Sequence, residues 1–473
     1  MASATLLKES RTAPAVSEGF SRELCEQIGR WRYGDLPEAL VKTVKALILD
    51  VLGVIGGACD APGIPALNAR LARWEQSGAA TGLIGKRSYS PPTAAMANGA
   101  AAHALDFDDQ HDPARVHTSC VILPALLATA EDIGNVSGTD FILAMAIGAE
   151  LHARLGLTCY NSLGKGWHPT MVFGTLAASL AAGTLLKLGT DGLVNALGMA
   201  FHQTSGSAQS MRDGVLSKRL GAGFAARNAV LGAFLAADGL TGTRRTIEGS
   251  AGLFALYERD EVKPEILMDD LGRKWRTPEY SFKPYPCCRC NHTPIGLGIR
   301  LHDDGIRAQE VERIEIRMGN VNWLTVGEPY DVSRDSVVHA QFNAAYSFAR
   351  ALADGRVDLH TYQKPAISDP KIVALTRMTS VISDPDIDPT AIQPARVRLT
   401  LQSGRVVEAF SDTIKGSPQE PLTEDELLQK FRACLAFGLG ASRTEADRLA
   451  EVVMSLEQCN DAAAAIVAAF PGT

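Results

Sequence analysis

Apolar residues recur three and four positions apart through most of the first half of the chain. LPEALVKTVKALILDVLGVIGGA, residues 36–58, carries that spacing behind a proline, and IPALNARLARWEQ follows as a second helix. PPTAAMANGAAAHALD opens with prolines suited to a first helical turn. SCVILPALLATAED, TDFILAMAIGAELHARLG, PTMVFGTLAASLAAGTLLKLG, DGLVNALGMAFHQTSG and RLGAGFAARNAVLGAFLAADG continue the helical pattern. Their small residues permit close packing of helix axes. About eight such helices without an alternating strand–helix pattern predict an α-helical domain.

The pattern changes near residue 275. VERIEIRMG, 311–319, alternates like a half-buried strand, and ARVRLTLQSGRVVEAF, 395–410, reads as a hairpin around a Ser-Gly turn. AQFNAAYSFARALADG, 340–355, is expected as one helix between them. From DELLQKFRACLAF onward the chain is helical again. The expected fold is mainly α, with a large helical domain and a smaller α+β domain. The boundaries are 16–275 for the helical part, 276–412 for the α+β part, and 413–470 for helices returning to the first domain. Residues 1–15 read as a loose tail.

Composition narrows the function classes. The 473 residues carry a net charge of −7, which disfavours nonspecific nucleic-acid binding. The longest uncharged apolar run, 171–186, is shorter than the roughly 20 residues a bilayer needs, so no membrane span is expected. MASATLLKESRTAPA has no apolar core, so no secretory signal is expected. Nine scattered cysteines suit reduced thiols in a cytoplasmic protein. The CCRC cluster at 287–290 lacks the returning ligand pair of a zinc site, so no metal is expected there. Nucleotide-binding glycine loops, a Walker loop and a serine-hydrolase elbow are missing from the sequence.

HALDFDDQHDPARVH, 103–117, puts three histidines and four aspartates between apolar helices. Buried acids are costly unless paired, so Asp106, Asp108 and Asp109 are either a solvated helix end, a cap for the helix near Ser119, or a pocket wall. His103, His111 and His117 lie eight and six residues apart, a spacing that puts no three on one helix face and argues against a three-histidine metal site. In GKGWHPTMVFG, His168 precedes a helix start, where the dipole disfavours an imidazolium. Lys218 and Arg219 precede a glycine-rich helix and can hold a carboxylate or phosphate. FKPYPCCRCNH, 282–292, sets Lys283, Tyr285, Arg289 and His292 among prolines that would preorganise them. Tyr346 lies in a helical segment, where a core role is the simpler reading.

Taken in order, NGAAAHALDFDDQH, the His117-Thr-Ser step, GWHPT, SKRLGAGFAARN, FKPYPCCRCNH and AQFNAAYSFARAL resemble the MmgE/PrpD family over roughly residues 18 to 460. That family includes 2-methylcitrate dehydratase, cis-aconitate decarboxylase and iminodisuccinate epimerase. The resemblance implies a helical domain built from both chain ends, an α+β lid, a homodimer and no cofactor. It also implies a cleft for a small di- or tricarboxylate, with Asp106, His117, His168, Lys218, Lys283 and Tyr346 as its catalytic lining. Gln110, His111, Arg219, Tyr285, Arg289 and His292 are expected as further substrate contacts. Three departures stand out: Gln110 replaces a threonine of the decarboxylase, one residue is inserted before His117, and Gly221 replaces a histidine. The implied chemistry is carbanion stabilisation by Lys218 and Lys283 with proton transfer by His168 as base and His117 as acid, Asp106 holding a histidine tautomer. A methylcitrate dehydratase-like hydro-lyase is the first expectation. The alternatives are a decarboxylase, an epimerase, a metal hydrolase using the 103–117 cluster, and a carboxylate-binding protein without catalysis.

Overall fold

The computed structural model describes residues 19–472. The tail read over 1–15 and the first residues of the 16–275 segment lie outside them.

The helical half forms as its periodicity dictates. Helices Glu38–Gly57, Pro91–Ala102, Ser119–Ile133, Gly138–Thr158, Pro169–Leu185, Thr190–Phe201 and Ser217–Ala237 enclose one apolar core. Small residues let the axes approach closely. A Cβ on Gly223 would meet the Met96 carbonyl oxygen at 2.4 Å, so Pro91–Ala102 and Ser217–Ala237 touch backbone to backbone there. Gly138–Thr158 and Ser217–Ala237 are long and apolar enough to cross a membrane by length and composition, but 89% of the first helix's apolar window and 56% of the second's is buried.

The C-terminal helices return to this core. Glu424–Leu439 lies along Glu38–Gly57, where any side chain at Gly53 or Gly56 would strike Phe431 or Leu435. Phe431, Leu435, Leu449, Val453 and Ile466 are buried in the same cluster. Lys430 crosses the interface to Asp50 at 2.6 Å and donates to the Phe107 carbonyl at 2.7 Å.

The smaller domain holds a four-stranded sheet ordered Thr379–Ser383, Val311–Met318, Ala395–Leu401, Val406–Ser411. The hairpin turns at Gly404, whose φ of +81° suits a residue without Cβ. Its inner face packs on Phe348 and Leu352 of the Ala344–Asp354 helix and on Leu297 and Leu301 of His292–Asp303. Two local expectations are corrected here. Residues 340–355 are two helices, Val337–Gln341 and Ala344–Asp354, because Asn343 leaves helical geometry and its side chain caps the Tyr346 N–H at 2.9 Å. Thr379–Ser383 is a strand that the sequence pattern did not suggest, since all five residues are half-buried and show no alternation.

Two devices fasten the segment 266–281, which leads into this domain, to the helical one. Arg154, fully buried, pairs with Glu150 at 2.7 Å and donates to the Ile266, Asp269 and Lys274 carbonyls, while Glu150 accepts from the Arg276 and Thr277 N–H groups. The short strand Gln110–His111 pairs antiparallel with Tyr280–Ser281. Together they draw the 103–117 loop and the 282–292 segment to one place.

Candidate active site

The 103–117 loop ends one helix and begins another, and its aspartates divide three tasks. Asp109 is the cap of Ser119–Ile133: its carboxylate accepts from the Thr118 and Ser119 N–H groups, each at 3.1 Å. Burial and the adjacent Asp108 push its carboxyl up to about 7, against those bonds. Asp108 accepts from His103 Nδ1 at 2.8 Å and lies 3.6 Å from His117 Nδ1. Burial opposes its charge, but the His103 and His117 rings outweigh that and hold its carboxyl well below the usual range. Asp106 faces two ammonium groups, Lys218 at its Oδ1 and Lys283 at 3.5 Å from its Oδ2. Burial again opposes, and Lys218 and Lys283 overcome it to keep Asp106 ionised below the usual range. Its φ of +53° is left-handed, which an aspartate tolerates at a cost.

Sequence had assigned the histidine-orienting role to Asp106. The structure gives it to Asp108, and Asp106 instead organises the lysines. Lys283 comes from the 282–292 segment, is fully buried, and donates to the Asp106 carbonyl at 2.8 Å. Asp106 and Asp108 keep it an ammonium against the burial that favours the amine. Lys218 enters from the first turn of Ser217–Ala237 and lies 5.1 Å from the Phe342 ring centre.

Three imidazoles meet beside this lysine pair. The His103 ring centre is 5.0 Å from His117 and 6.0 Å from His168. His117 Nδ1 lies 2.8 Å from the Asp109 carbonyl, which can only accept, so Nδ1 carries the proton and Nε2 the lone pair. His168 caps Pro169–Leu185, and neither ring nitrogen has a hydrogen-bond partner among the described residues. Burial, then the charge of Lys283, pushes His117 far down. Burial, then His103 and Lys218, does the same to His168. Both are neutral near pH 7. His103 also stays neutral, its pKa lowered by burial in spite of Asp108.

A narrow cavity opens between the domains, lined by Asp106, Gln110, His117, His168 and Lys218, with Arg289 and Cys288 on the lid side. Its polar groups thus converge from four separate stretches of sequence.

The other expected contacts lie elsewhere, and each has its own partner. Tyr346 is in the lid core and donates to the Thr361 carbonyl at 2.6 Å, which corrects its catalytic assignment. His111 accepts from the Ala114 N–H and packs edge-on against Tyr280. Arg219 donates to the Pro62 carbonyl and to Gln341. His292 receives a bond from Arg289, and Tyr285 packs against its ring at 5.2 Å. None of these five lines the cavity. Arg289 does, yet its guanidinium is engaged by Asp112 at 3.1 Å and the Lys415 carbonyl at 2.9 Å. His103 and Asp108 stand among the candidates of the 103–117 stretch but receive no site role there, since a five-residue separation does not show that the loop folds one onto the other.

One atom each of His103, Asp108 and His117 lie within 4.8 Å of one another, a separation that a metal ion can bridge. The chemistry of the donors argues otherwise. His103 and His117 each turn a protonated Nδ1 toward an oxygen acceptor, so those two nitrogens are closed to a metal and only the Nε2 lone pairs stay open. Cys287, Cys288 and Cys290 are buried free thiols.

Comparison with known proteins agrees with this layout. Residues 22–265 match the MmgE/PrpD N-terminal domain and residues 285–457 the MmgE/PrpD C-terminal domain. The second match therefore spans both the lid and part of the returning helices. A cis-aconitate decarboxylase-like protein of Aspergillus oryzae is 29% identical over 462 residues, covering 93% of this chain and 95% of that protein. The cis-aconitate decarboxylase of Aspergillus terreus is 28% identical over 486 residues, covering 96% of each chain. The Homo sapiens cis-aconitate decarboxylase is 29% identical over 447 residues, covering 91% of this chain and 90% of its own. With two domain matches that together take in most of its length, the chain belongs to the MmgE/PrpD family.

Proposed function

We propose that the protein is a cofactor-independent carboxy-lyase of a small unsaturated tricarboxylate, of the cis-aconitate kind. This replaces the methylcitrate dehydratase expected first from sequence, because the curated relatives quoted above are named as cis-aconitate decarboxylases or as decarboxylase-like. The observation that carries the reading is the meeting of Lys218 and Lys283 at one carboxylate beside two neutral histidines with nitrogens free for a ligand.

The chemistry follows from those groups. Two ammoniums share Asp106, so one positive charge there is unbalanced, and a polyanion is drawn to it. Decarboxylation breaks a C–C bond and leaves its electron pair on the substrate. In an allylic acid that pair becomes a new double bond, while the old π pair takes a proton at the far carbon. Lys218 and Lys283 stabilise the negative charge that develops on the remaining carboxylates. The proton must come from an acid. Burial first and neighbouring positive charge second depress His117 and His168; a bound trianion counters the second and so favours proton uptake on binding. His117 is the better placed of the two to carry the proton that is delivered, since Asp108 at 3.6 Å and the Asp109 carbonyl support its cation. His168, at a helix N-terminus, is the poorer place for charge and serves as hydrogen-bond donor or base.

One observation favours the hydro-lyase as the second reading: before substrate arrives, His117 Nε2 is a lone pair and thus a base. Incubation with cis-aconitate, methylcitrate, citrate and iminodisuccinate in deuterated water, followed by proton NMR, separates the readings. Loss of carbon dioxide with one deuterium in the product supports the decarboxylase. Water loss from methylcitrate supports the hydro-lyase, bare C–H exchange the epimerase, and an unchanged panel a binding protein.

A homodimer is part of the same proposal, and the apolar side chains of Phe224 and Leu231, exposed along Ser217–Ala237, with Leu216 just before it, support it. Sedimentation at micromolar concentration tests it.

A further inference from the structure

Three permanent cations line the cavity: Arg115, Lys218 and Arg289. Two are already matched by carboxylates, Lys218 by Asp106 and Arg289 by Asp112. Arg115 has no carboxylate within ion-pair distance among the described residues. Its guanidinium donates from a terminal nitrogen to the Thr390 carbonyl of the lid, at 2.7 Å, and also bonds the Cys290 thiol beside it. No carboxylate takes up its remaining donors among the described residues, and a guanidinium suits a carboxylate in two-point geometry.

The backbone is shaped to put this side chain there. Arg115 adopts φ of +54°, a left-handed conformation unusual for a residue with Cβ. Its N–H bonds to the His111 carbonyl at 2.8 Å, closing a tight turn between Gln110 and His117, which both line the cavity. A strained arginine in a cavity wall, with its charge unspent, calls for an anionic partner.

From these observations, and resting on the carboxylate-lyase reading, we infer that Arg115 is the anchor for a third carboxylate of the substrate and so selects tricarboxylates over dicarboxylates. Lys218, with Lys283 buried behind it on the same Asp106 carboxylate, takes the charge nearest the reacting carbons, while Arg115 takes the distal group. Because the same guanidinium touches the lid carbonyl, the distal carboxylate also meets the point where the two domains join.

Isothermal titration with two unreactive acids tests this without turnover: propane-1,2,3-tricarboxylate and glutarate. The wild-type protein is expected to bind the tricarboxylate at least about ten-fold tighter, the least expected of one charged hydrogen-bonded contact. Arg115→Gln should weaken the tricarboxylate by about ten- to a hundred-fold and leave glutarate unchanged. Arg115→Lys, which keeps the charge, should retain part of the preference and covers the case in which the glutamine variant does not fold. Equal weakening of both acids would make Arg115 a lid latch only and overturn the inference, as would an undiminished preference in both variants. A wild-type protein that binds neither acid would sink the carboxylate reading together with this one. One that binds both equally would sink the inference alone.

Discussion

Asp106, Asp108 and Asp109 stand within four positions of one another, yet one gathers lysines, one orients a histidine and one caps a helix. Sequence could not divide these tasks, because each is set by a partner distant in the chain: Lys218 lies 112 residues from Asp106 and Lys283 lies 177 away. The residue types were legible as chemistry; the pairings were not. Asp108→Asn tests the division directly. It should leave the Asp109 cap intact and release His103 and His117 from their carboxylate. Turnover should fall about ten- to a thousand-fold with little change in KM, as expected for a group that acts through the proton-transfer step. A rise in KM alone would move Asp108 into substrate binding. The closeness of His103, Asp108 and His117 makes metal a fair test too: prolonged dialysis against a chelator should leave activity unchanged, and stoichiometric metal in the purified protein would revive the metal-hydrolase alternative.

At the scale of elements, the helices were readable from apolar spacing, and so was the hairpin. The break at Asn343 was not, because a single capping residue inside an apolar run looks like a surface position until its side chain is seen turning back on the Tyr346 N–H. The return of Glu424–Leu439 to the first domain was only suggested by its helical pattern, and the structure shows what it accomplishes. Its Lys430 joins buried Asp50 to the Phe107 carbonyl, one residue from both Asp106 and Asp108. Removing that amine leaves a buried acid without its partner, a change that costs about 3–5 kcal/mol in comparable pairs. Lys430→Ala should therefore lower the melting temperature markedly, and should reduce turnover in the fraction that remains folded. A variant with unchanged stability would show that the pair contributes nothing to holding the loop.

Across the whole molecule, burial of many neutral histidines sets the response to acid. Burial pushes His152 down to about 3, and His103, His117, His168 and His292 are depressed chiefly by burial as well. In the unfolded chain each takes a proton near pH 6.5. Their contribution to stability is therefore present above that pH and is lost as pH falls toward the folded values. His152 alone costs about 2 kcal/mol at pH 5. Asp109, raised to about 7, works in the opposite sense and gains on acidification, as do Asp50, Glu131 and Glu258, whose carboxyls burial raises, but these are outnumbered by the depressed histidines, which also include His339. Thermal unfolding followed from pH 7.5 to pH 5 should show a steady fall in melting temperature, and a flat profile would contradict the buried neutral state. The two-domain plan itself was legible from the switch in periodicity near residue 275 and from the family resemblance. The cavity was not, since it exists only where the 103–117 loop, His168, Lys218 and the 282–292 segment are brought together.

The most direct test of the account is the release of carbon dioxide from cis-aconitate by the purified wild-type protein beside Lys218→Met and His117→Gln. The wild type should release it without added cofactor, and each substitution should cut the rate at least about a hundred-fold while the protein stays folded. Undiminished release by either variant would contradict the ammonium-and-imidazole cavity as the seat of the reaction.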